Sequence, residues 1–203
     1  MTKILALETS GSNCGAGIWI GPELISIREE TGYKIHSETL PEFVKSVLKE
    51  SNITLGELDA IAISAGPGSY TGLRIGMSFA KGLAFGSNIQ LFAINTIFCI
   101  EDYYKNIEEF SVLVYSHADF IYKKNNDSER FGNIIQTKIK DVYNNSLLCV
   151  NFPKNKQTLP NSKYILPSVK YIGEYTIKNY LKLDKLQLNE ISPGYFSEFD
   201  IRK

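Results

Sequence analysis

An apolar run followed at once by a glycine-rich turn restricts the fold of this chain more than any other feature. Leu58–Ala65 is a nearly continuous apolar stretch of strand length. Such a run is typical of a strand that is covered on both faces, as in a parallel sheet. Gly66-Pro67-Gly68 then breaks the run, because proline fixes φ and glycine permits backbone angles closed to other residues. A long helix from about Ser69 to Phe85 follows, so the sequence predicts an α/β protein.

The first half of the chain repeats this alternation in a regular order. Short β-prone runs separated by Gly, Ser, Asn and Pro predict a meander of three strands at the start. Apolar residues spaced three and four apart between Leu40 and Leu48 predict a helix over about 37–50. The predicted order is βββαβαβα, with strands at Lys3–Glu8, Ala16–Ile20, Leu24–Arg28, Leu58–Ala65 and Leu91–Ile94, and a third helix at Thr96–Tyr104.

The second half resembles a shortened copy of the same order. Its predicted strands are Val112–Ser116, Phe120–Lys124, Asn133–Lys138 and Leu147–Asn151, with a turn-rich stretch at Asn125–Glu129. The segment Phe152–Lys163 is rich in Pro, Asn and Lys and has poor periodicity, and Val169–Leu183 is predicted to be the last helix. The apolar tail Pro193–Phe196 is expected to pack against the rest of the chain. We therefore expect two units, 1–105 and 106–203, the second one degenerate.

Charge and cysteine content limit the classes of protein to which this chain can belong. The chain has 22 Lys and Arg and 22 Asp and Glu, so no global field attracts it to nucleic acid or membrane. The charges are unevenly placed, with 8 basic and 14 acidic residues in 1–120 against 14 and 8 in 121–203. Three distant cysteines, no signal-peptide pattern and no long apolar run predict a soluble cytoplasmic protein that does not enter a membrane.

The segment Gly66–Gly76 allows two interpretations. Gly66, Pro67, Gly68 and Ser69 form either an anion site at a helix N-terminus or a tight turn needed only for packing. The Gly-Lys-Ser/Thr ending of a P-loop is missing. Gly72, Gly76 and Ala80 form a stripe of small residues, and Gly82 and Gly86 form a second small pair. Each set lets another backbone approach closely, either within the chain or in another protein.

These segments also carry a family resemblance. The first segment is Gly-Pro-Gly-Ser-Tyr-Thr-Gly-Leu-Arg-Ile-Gly at 66–76, and the second is Ile-Leu-Ala-Leu-Glu-Thr-Ser-Gly-Ser-Asn-Cys-Gly-Ala-Gly-Ile-Trp at 4–19. With these segments, residues 3–95 closely resemble the TsaB (YeaZ) family. The resemblance implies an actin-like fold (ASKHA, ribonuclease H-like) with duplicated βββαβαβα lobes, the second shortened. It also implies a non-catalytic subunit in bacterial synthesis of threonylcarbamoyladenosine, beside the tRNA anticodon. The implied partners are the catalytic paralogue TsaD and the ATPase TsaE, with tRNA reached only through the complex, and the free chain is a possible homodimer.

The resemblance also bears on the cleft between the lobes. Catalytic members of the superfamily bind nucleotide there through the first hairpin of each lobe. Glu8–Ser12 matches the first hairpin, and Glu8 could hold a metal-bound water or cap a turn. Tyr115–Phe120 matches the second hairpin but lacks glycine, and His36 and His117 do not form the His-x-x-x-His pair of TsaD-type proteins. We therefore expect no catalytic residues, metal or cofactor, and keep a small-molecule kinase and a metallopeptidase as alternatives.

The family resemblance places the partner interface on two helices of the first lobe. An alternative for each apolar member is a place in the chain's own core. The candidates are Thr39, Leu40, Phe43 and Val47 on the first helix, and Thr71, Gly72, Arg74, Ile75, Gly76 and Ser78 on the second.

Overall fold

The computed structural model describes residues 1–106, 110–124, 134–142 and 146–194 of the chain. Strands and helices alternate through these residues in the α/β manner that the sequence predicts. The helices are α1 (His36–Glu50), α2 (Tyr70–Ser87), α3 (Thr96–Tyr104) and α4 (Val169–Asn179). The strands are β1 (Lys3–Glu8), β2 (Asn13–Ile20), β3 (Glu23–Thr31), β4 (Ala60–Ser64), β5 (Gln90–Ile94), β6 (Ser111–Tyr115), β7 (Phe120–Lys124), β8 (Ile134–Lys138), β9 (Leu147–Val150) and β10 (Ser162–Ile165).

The first sheet has the strand order β3-β2-β1-β4-β5. The opening meander pairs antiparallel, whereas β4 lies parallel to both β1 and β5. All five residues of β4 are buried, as expected for a strand with helices over both faces of its sheet.

The second sheet repeats this arrangement. Its order β10-β9-β6-β7-β8 matches the first sheet strand by strand, including the parallel β6–β9 and β9–β10 pairs and the antiparallel β6–β7–β8 meander. In the described residues the two helices that precede the fourth and fifth strands of the first sheet have only short counterparts. These are 3₁₀ turns at Ile139–Asp141 and Lys154–Lys156. The prediction of a duplicated fold with a shortened second lobe is thus confirmed.

The main core lies between the two sheets. Helix α4 packs on β1, β2 and β4 of the first sheet, while α3 packs on α4 and on β6 of the second sheet. One continuous hydrophobic cluster joins both sheets through these helices, and Trp19, Ile97 and Ile172 are among its fully buried members. The division into 1–105 and 106–203 stays a prediction, because each half contributes a helix to the sheet of the other.

The outer face of the first sheet carries α1 and α2. Leu40, Val44 and Val47 of α1 and Met77 and Ala80 of α2 are buried against it. The returning chain closes the edge of this cluster, because Ile191 is buried there and the Gly194 N–H donates to the Ala65 carbonyl oxygen at 2.7 Å.

The differences from the sequence prediction lie mainly at the ends of elements. Strand β10 begins within the segment that was expected to be irregular, and α4 ends at Asn179 rather than Leu183. β2 and β3 are longer than predicted. Tyr195 and Phe196 of the tail, the turn-rich stretch 125–129 and Asn133 lie outside the described residues. No described helix combines the length and apolar character needed to cross a membrane.

Candidate functional site

The loop between β4 and α2 packs directly on the β1–β2 turn. Gly66 has φ +98°, a value that favours glycine, and is followed by the cis peptide bond to Pro67. A Cβ at Gly68 would collide with the Ser10 carbonyl oxygen, which accepts a hydrogen bond from the Ser69 N–H at 2.6 Å. The glycines of this loop therefore permit a close backbone approach to the turn.

The start of α2 is capped by the Ser69 side chain. The Ser69 side chain accepts a hydrogen bond from the Gly72 N–H at 3.2 Å, which satisfies one of the free amides of the first turn. Thr71, in the same first turn, is exposed.

The stripe of small residues on α2 faces the chain's own first turn. A Cβ at Gly72 would collide with the Thr9 carbonyl oxygen, and a Cβ at Gly76 with Thr9 Oγ1. Ala80, the next member, is fully buried. The prediction that Gly72 and Gly76 contact a partner is corrected here, because both glycines face Thr9 inside the protein.

Glu8 lies buried at the end of β1 beside this turn. It is only 1% exposed, and its Oε1 accepts a hydrogen bond from the Ser10 N–H. Burial raises its pKa to about 7, although hydrogen bonds from Ser10 and Ser64 lower the pKa in part. Of the two roles considered for this carboxylate, the structure shows the cap of the turn.

A cleft of about 580 Å³ opens between the two lobes. On the second-lobe side the Ser116 hydroxyl is hydrogen-bonded to His117 Nδ1 at 2.9 Å and accepts a bond from Gln136 Nε2 at 3.1 Å. The lining combines aromatic and aliphatic side chains with polar groups from serine, histidine, asparagine and tyrosine. Its members are Ser12, Pro67, Gly68, Ser69, Tyr70, Leu73, Tyr115, Ser116, His117, Tyr122, Asn151, Phe152, Pro153, Leu166 and Gly194.

The first-lobe hairpin is covered by residues of the second lobe. Gly11 at its turn is so close to the Pro167 ring that a Cβ there would collide with it, and the Asn151 Cγ would lie 3.1 Å away. The Ser12 N–H donates to Asn151 Oδ1 at 3.0 Å. The backbone of this turn, which the superfamily presents to phosphate, therefore packs against protein here.

A second interlobe contact lies at the N-terminus of α4. The Glu29 carboxylate from β3 accepts hydrogen bonds from the Val169 N–H at 2.6 Å and from the Ser168 hydroxyl at 3.1 Å. A carboxylate is favourable there because it meets free N–H groups and the positive end of the helix dipole. The Asn13 side-chain amide adds to this contact by donating to Glu29 Oε1 at 3.1 Å and to the Pro167 carbonyl oxygen at 3.0 Å. We call these hydrogen bonds around Glu29 the Glu29 clasp.

The outward face of α1 and α2 holds the remaining predicted interface residues. Thr71, Arg74 and Ser78 are exposed, while Thr39, Phe43 and Ile75 are half-buried. Leu40 and Val47 are fully buried, and for these two the alternative of a place in the core is correct. Arg74 lies over the ring of Tyr70, 3.9 Å from its centroid.

The same face continues to the end of α2, beyond Ser78, the last predicted interface residue, and includes Phe85, which was not predicted. Phe85 is 82% exposed, and a Cβ at Gly82 or Gly86 would meet nothing within 4 Å. The pair Gly82 and Gly86 was the available signal, since it marks the side of the helix opposite the buried stripe.

The histidines and cysteines are scattered. His36 is buried at the start of α1, whereas His117 lies at the mouth of the cleft. Cys14, Cys99 and Cys149 are buried and unbridged, and burial raises the pKa of each thiol. Among the described residues, no group of three or more His, Cys, Asp or Glu side chains is placed to hold a metal ion.

Comparisons with family models, with known proteins and with solved structures point to the same family. A family model described as "TsaD: tRNA N6-adenosine threonylcarbamoyltransferase" matches residues 30–146, more than half of the chain. The chain is 30% identical over 95 residues to the tRNA threonylcarbamoyladenosine biosynthesis protein TsaB of Escherichia coli, a match covering 47% of this chain and 41% of that protein. The chain thus spans less than half the length of this relative.

Two further similarities extend over nearly the whole chain. TsaB of Buchnera aphidicola subsp. Baizongia pistaciae is 28% identical, with 94% of this chain and 99% of that protein covered. A crystal structure from Pseudomonas aeruginosa, described as similar to peptidase YEAZ, superimposes with a TM-score of 0.80 at 19% identity, covering 97% of this chain and 100% of that one. The superposition and the duplicated sheets show the actin-like α/β fold. The family model and the TsaB relatives establish that the chain belongs to the TsaB (YeaZ) family of tRNA threonylcarbamoyladenosine biosynthesis proteins.

Proposed function

We propose that this chain is a non-catalytic, cytoplasmic subunit that binds and activates the catalytic threonylcarbamoyltransferase TsaD through the outward face of α1 and α2. The ATPase TsaE joins the complex, tRNA is reached through the complex, and the free chain pairs with itself through the same face. The observation that carries this proposal is the exposed, small and apolar surface of α2.

That surface has the composition of a helix–helix interface. Small residues at Ser78, Gly82 and Gly86 let a second helix approach closely, and the large exposed ring of Phe85 offers apolar area at one end. Burying a phenylalanine side chain stabilises an interface by about 2 kcal/mol. Thr39 and Phe43 of α1 add a half-buried ridge beside it.

The state of the cleft supports a role without catalysis. The turn that would approach a phosphate is packed against Pro167 and Asn151, and Glu8 is used to cap that turn. The matching second-lobe turn at 116–119 contains no glycine, so close backbone approach to a phosphate is sterically disfavoured there.

Similarity to the catalytic enzyme itself also supports the proposed pairing. The chain is 34% identical over 109 residues to the tRNA N6-adenosine threonylcarbamoyltransferase of Chlorobium limicola, a match covering 47% of this chain and 31% of that enzyme. Two proteins that share a lobe can pair through equivalent helices with approximate two-fold symmetry.

A mixing experiment with matched surface variants tests the proposal. The chain is combined with the threonylcarbamoyltransferase encoded in the same genome, and the complex is measured by gel filtration with light scattering. Ser78→Arg places a bulky charge in the middle of the α2 face, and Phe85→Glu removes its exposed ring. Both variants are expected to weaken the complex at least tenfold, since each buries an uncompensated charge.

Leu181→Glu is the control. Leu181 is 95% exposed and lies just beyond α4, away from the α1–α2 face, so this variant is expected to bind like the unaltered chain. The proposal fails if the unaltered chain forms no complex, or if Leu181→Glu weakens the complex as much as Ser78→Arg does.

A further inference from the structure

Three short segments of the second lobe meet at the carboxyl ends of β6 and β9. They are the β6–β7 turn at 116–119 and the 3₁₀ turns at Ile139–Asp141 and Lys154–Lys156. The Ile139 N–H donates to the Asp119 carbonyl oxygen at 2.8 Å, and Lys156 Nζ lies 2.5 Å from the Asp119 carboxylate. These two contacts on one residue fix both 3₁₀ turns against the β6–β7 turn.

Four lysines are gathered at this place, and we call them the lysine corner: Lys138, Lys140, Lys154 and Lys156. Lys138, Lys140 and Lys154 are exposed, and Lys138 lies 5.9 Å from the centroid of the Phe120 ring. The acidic groups within the three segments are Asp119, which pairs with Lys156, and Asp141. The lysine corner therefore keeps a positive charge.

The two 3₁₀ turns replace longer helices of the first lobe. In chain order they precede the fourth and fifth strands of the second sheet, as α1 and α2 precede those of the first sheet. The second lobe therefore has short basic turns in place of these helices, and their chemistry differs from that of the small and apolar surface of α2.

We propose that the lysine corner binds the phosphodiester backbone of RNA, and that in the complex this RNA is the tRNA substrate. The proposal rests on the proposed function, which supplies an RNA. Lysines are compact charges on flexible stems, and they contact phosphates without reading sequence. His117 and Phe120, whose ring centroids lie 5.4 Å apart, add rings beside the corner on which an unstacked base can lie.

The uneven charge of the chain supports RNA as the occupant. Divided at the predicted lobe boundary, residues 1–105 carry 8 basic against 11 acidic side chains, and residues 106–203 carry 14 against 11. An RNA is therefore repelled from the first lobe and attracted to the second one. With so few phosphate contacts, binding by the chain alone is weak and strongly salt-dependent.

The test uses the full chain and a fluorescein-labelled, unmodified tRNA transcript, with anisotropy measured over a range of KCl concentrations. The variant Lys138→Gln/Lys140→Gln/Lys154→Gln keeps the Lys156–Asp119 pair intact. Removing three phosphate contacts is expected to reduce the slope of log K against log salt by about 3, and to weaken binding at least tenfold at low salt. The control Lys34→Gln/Lys45→Gln/Lys49→Gln removes the same charge from exposed first-lobe positions and is expected to change the slope little.

Two results would overturn the proposal. One is an equal loss in both triple variants, because the effect would then come from net charge rather than from the lysine corner. The other is displacement of the transcript by polyglutamate at equal charge concentration, which would indicate an acidic polypeptide as the occupant. Gel filtration with the threonylcarbamoyltransferase is run in parallel. The lysine variant is expected to form that complex normally, so failure of the RNA site and failure of the proposed function give different results.

Discussion

The buried carboxyl of Glu8 makes the stability of this protein depend on pH in a way that one substitution can isolate. In the folded chain its pKa is raised from 4.5 to about 7, mainly because burial disfavours the charged form. Each unit of pKa shift corresponds to about 1.4 kcal/mol. The raised pKa means that the folded state holds the proton more tightly than the unfolded state does, so stability falls as pH rises.

The magnitude follows from the two pKa values. Below pH 4.5 Glu8 is protonated in both states, and its contribution to stability is fully present. Between pH 4.5 and about 7 this contribution is progressively lost, reaching a total of about 3 kcal/mol above that range. Glu8→Gln removes the ionisation and keeps an oxygen that can accept the hydrogen bond from the Ser10 N–H.

The assay is urea unfolding of the unaltered chain and of Glu8→Gln at intervals from pH 4 to 8. The difference in free energy of unfolding between the two proteins is the quantity of interest, because other titrating groups cancel in it. We expect the unaltered chain to lose about 3 kcal/mol relative to Glu8→Gln across this range. Parallel curves, with a constant difference at every pH, would refute the reasoning and place the Glu8 carboxyl in contact with water.

Two further predictions test the packing around the site. Gly72→Ala is expected to destabilise the fold by about 3 kcal/mol, because the new Cβ would collide with the Thr9 carbonyl oxygen. Gly82→Ala has open space around it and is expected to stabilise α2 by up to about 1 kcal/mol. Thermal unfolding of both variants checks this prediction, and equal effects on stability would contradict it. Glu29→Ala is expected to lower the free energy of unfolding by about 1 to 2 kcal/mol, because Val169 and Ser168 lose their shared hydrogen-bond acceptor. Hydrogen exchange of the amides at the start of α4 is expected to become faster. Unchanged exchange at Val169 would contradict this role of Glu29.

Much of the fold follows from local patterns in the sequence. The bounds of β1, β7 and α3 match the predicted ranges, because turn-forming or capping residues border each of them. β10 was missed because its four residues, Ser162–Ile165, pair on one side only with β9 and carry no clear alternation of apolar and polar residues. The predicted end of α4 at Leu183 was wrong, because the helix ends at Asn179 and the chain continues as a turn in which Leu181 is 95% exposed.

The candidate site was less predictable than the fold. Spacing showed that Gly72 and Gly76 share a helix face, but spacing alone does not say which backbone lies against that face. The answer is Thr9, which is distant in sequence and lies against α2 because β1 and β4 are paired in the sheet. In the same way, the interlobe contacts of Asn151 and Glu29 join residues more than a hundred positions apart, and no local pattern marks them.

The placement of the helices connects the two proposed surfaces. The sheet that carries α1 and α2 on one face carries α4, a helix of the second half, on the other face. The Glu29 clasp and the Ser12–Asn151 hydrogen bond add fixed points between the lobes. A partner that binds only α1 and α2 therefore also fixes the orientation of the second lobe, and with it the direction in which the lysine corner points. If both proposals hold, the partner occupies the first lobe while the exposed lysines of the corner remain accessible to RNA.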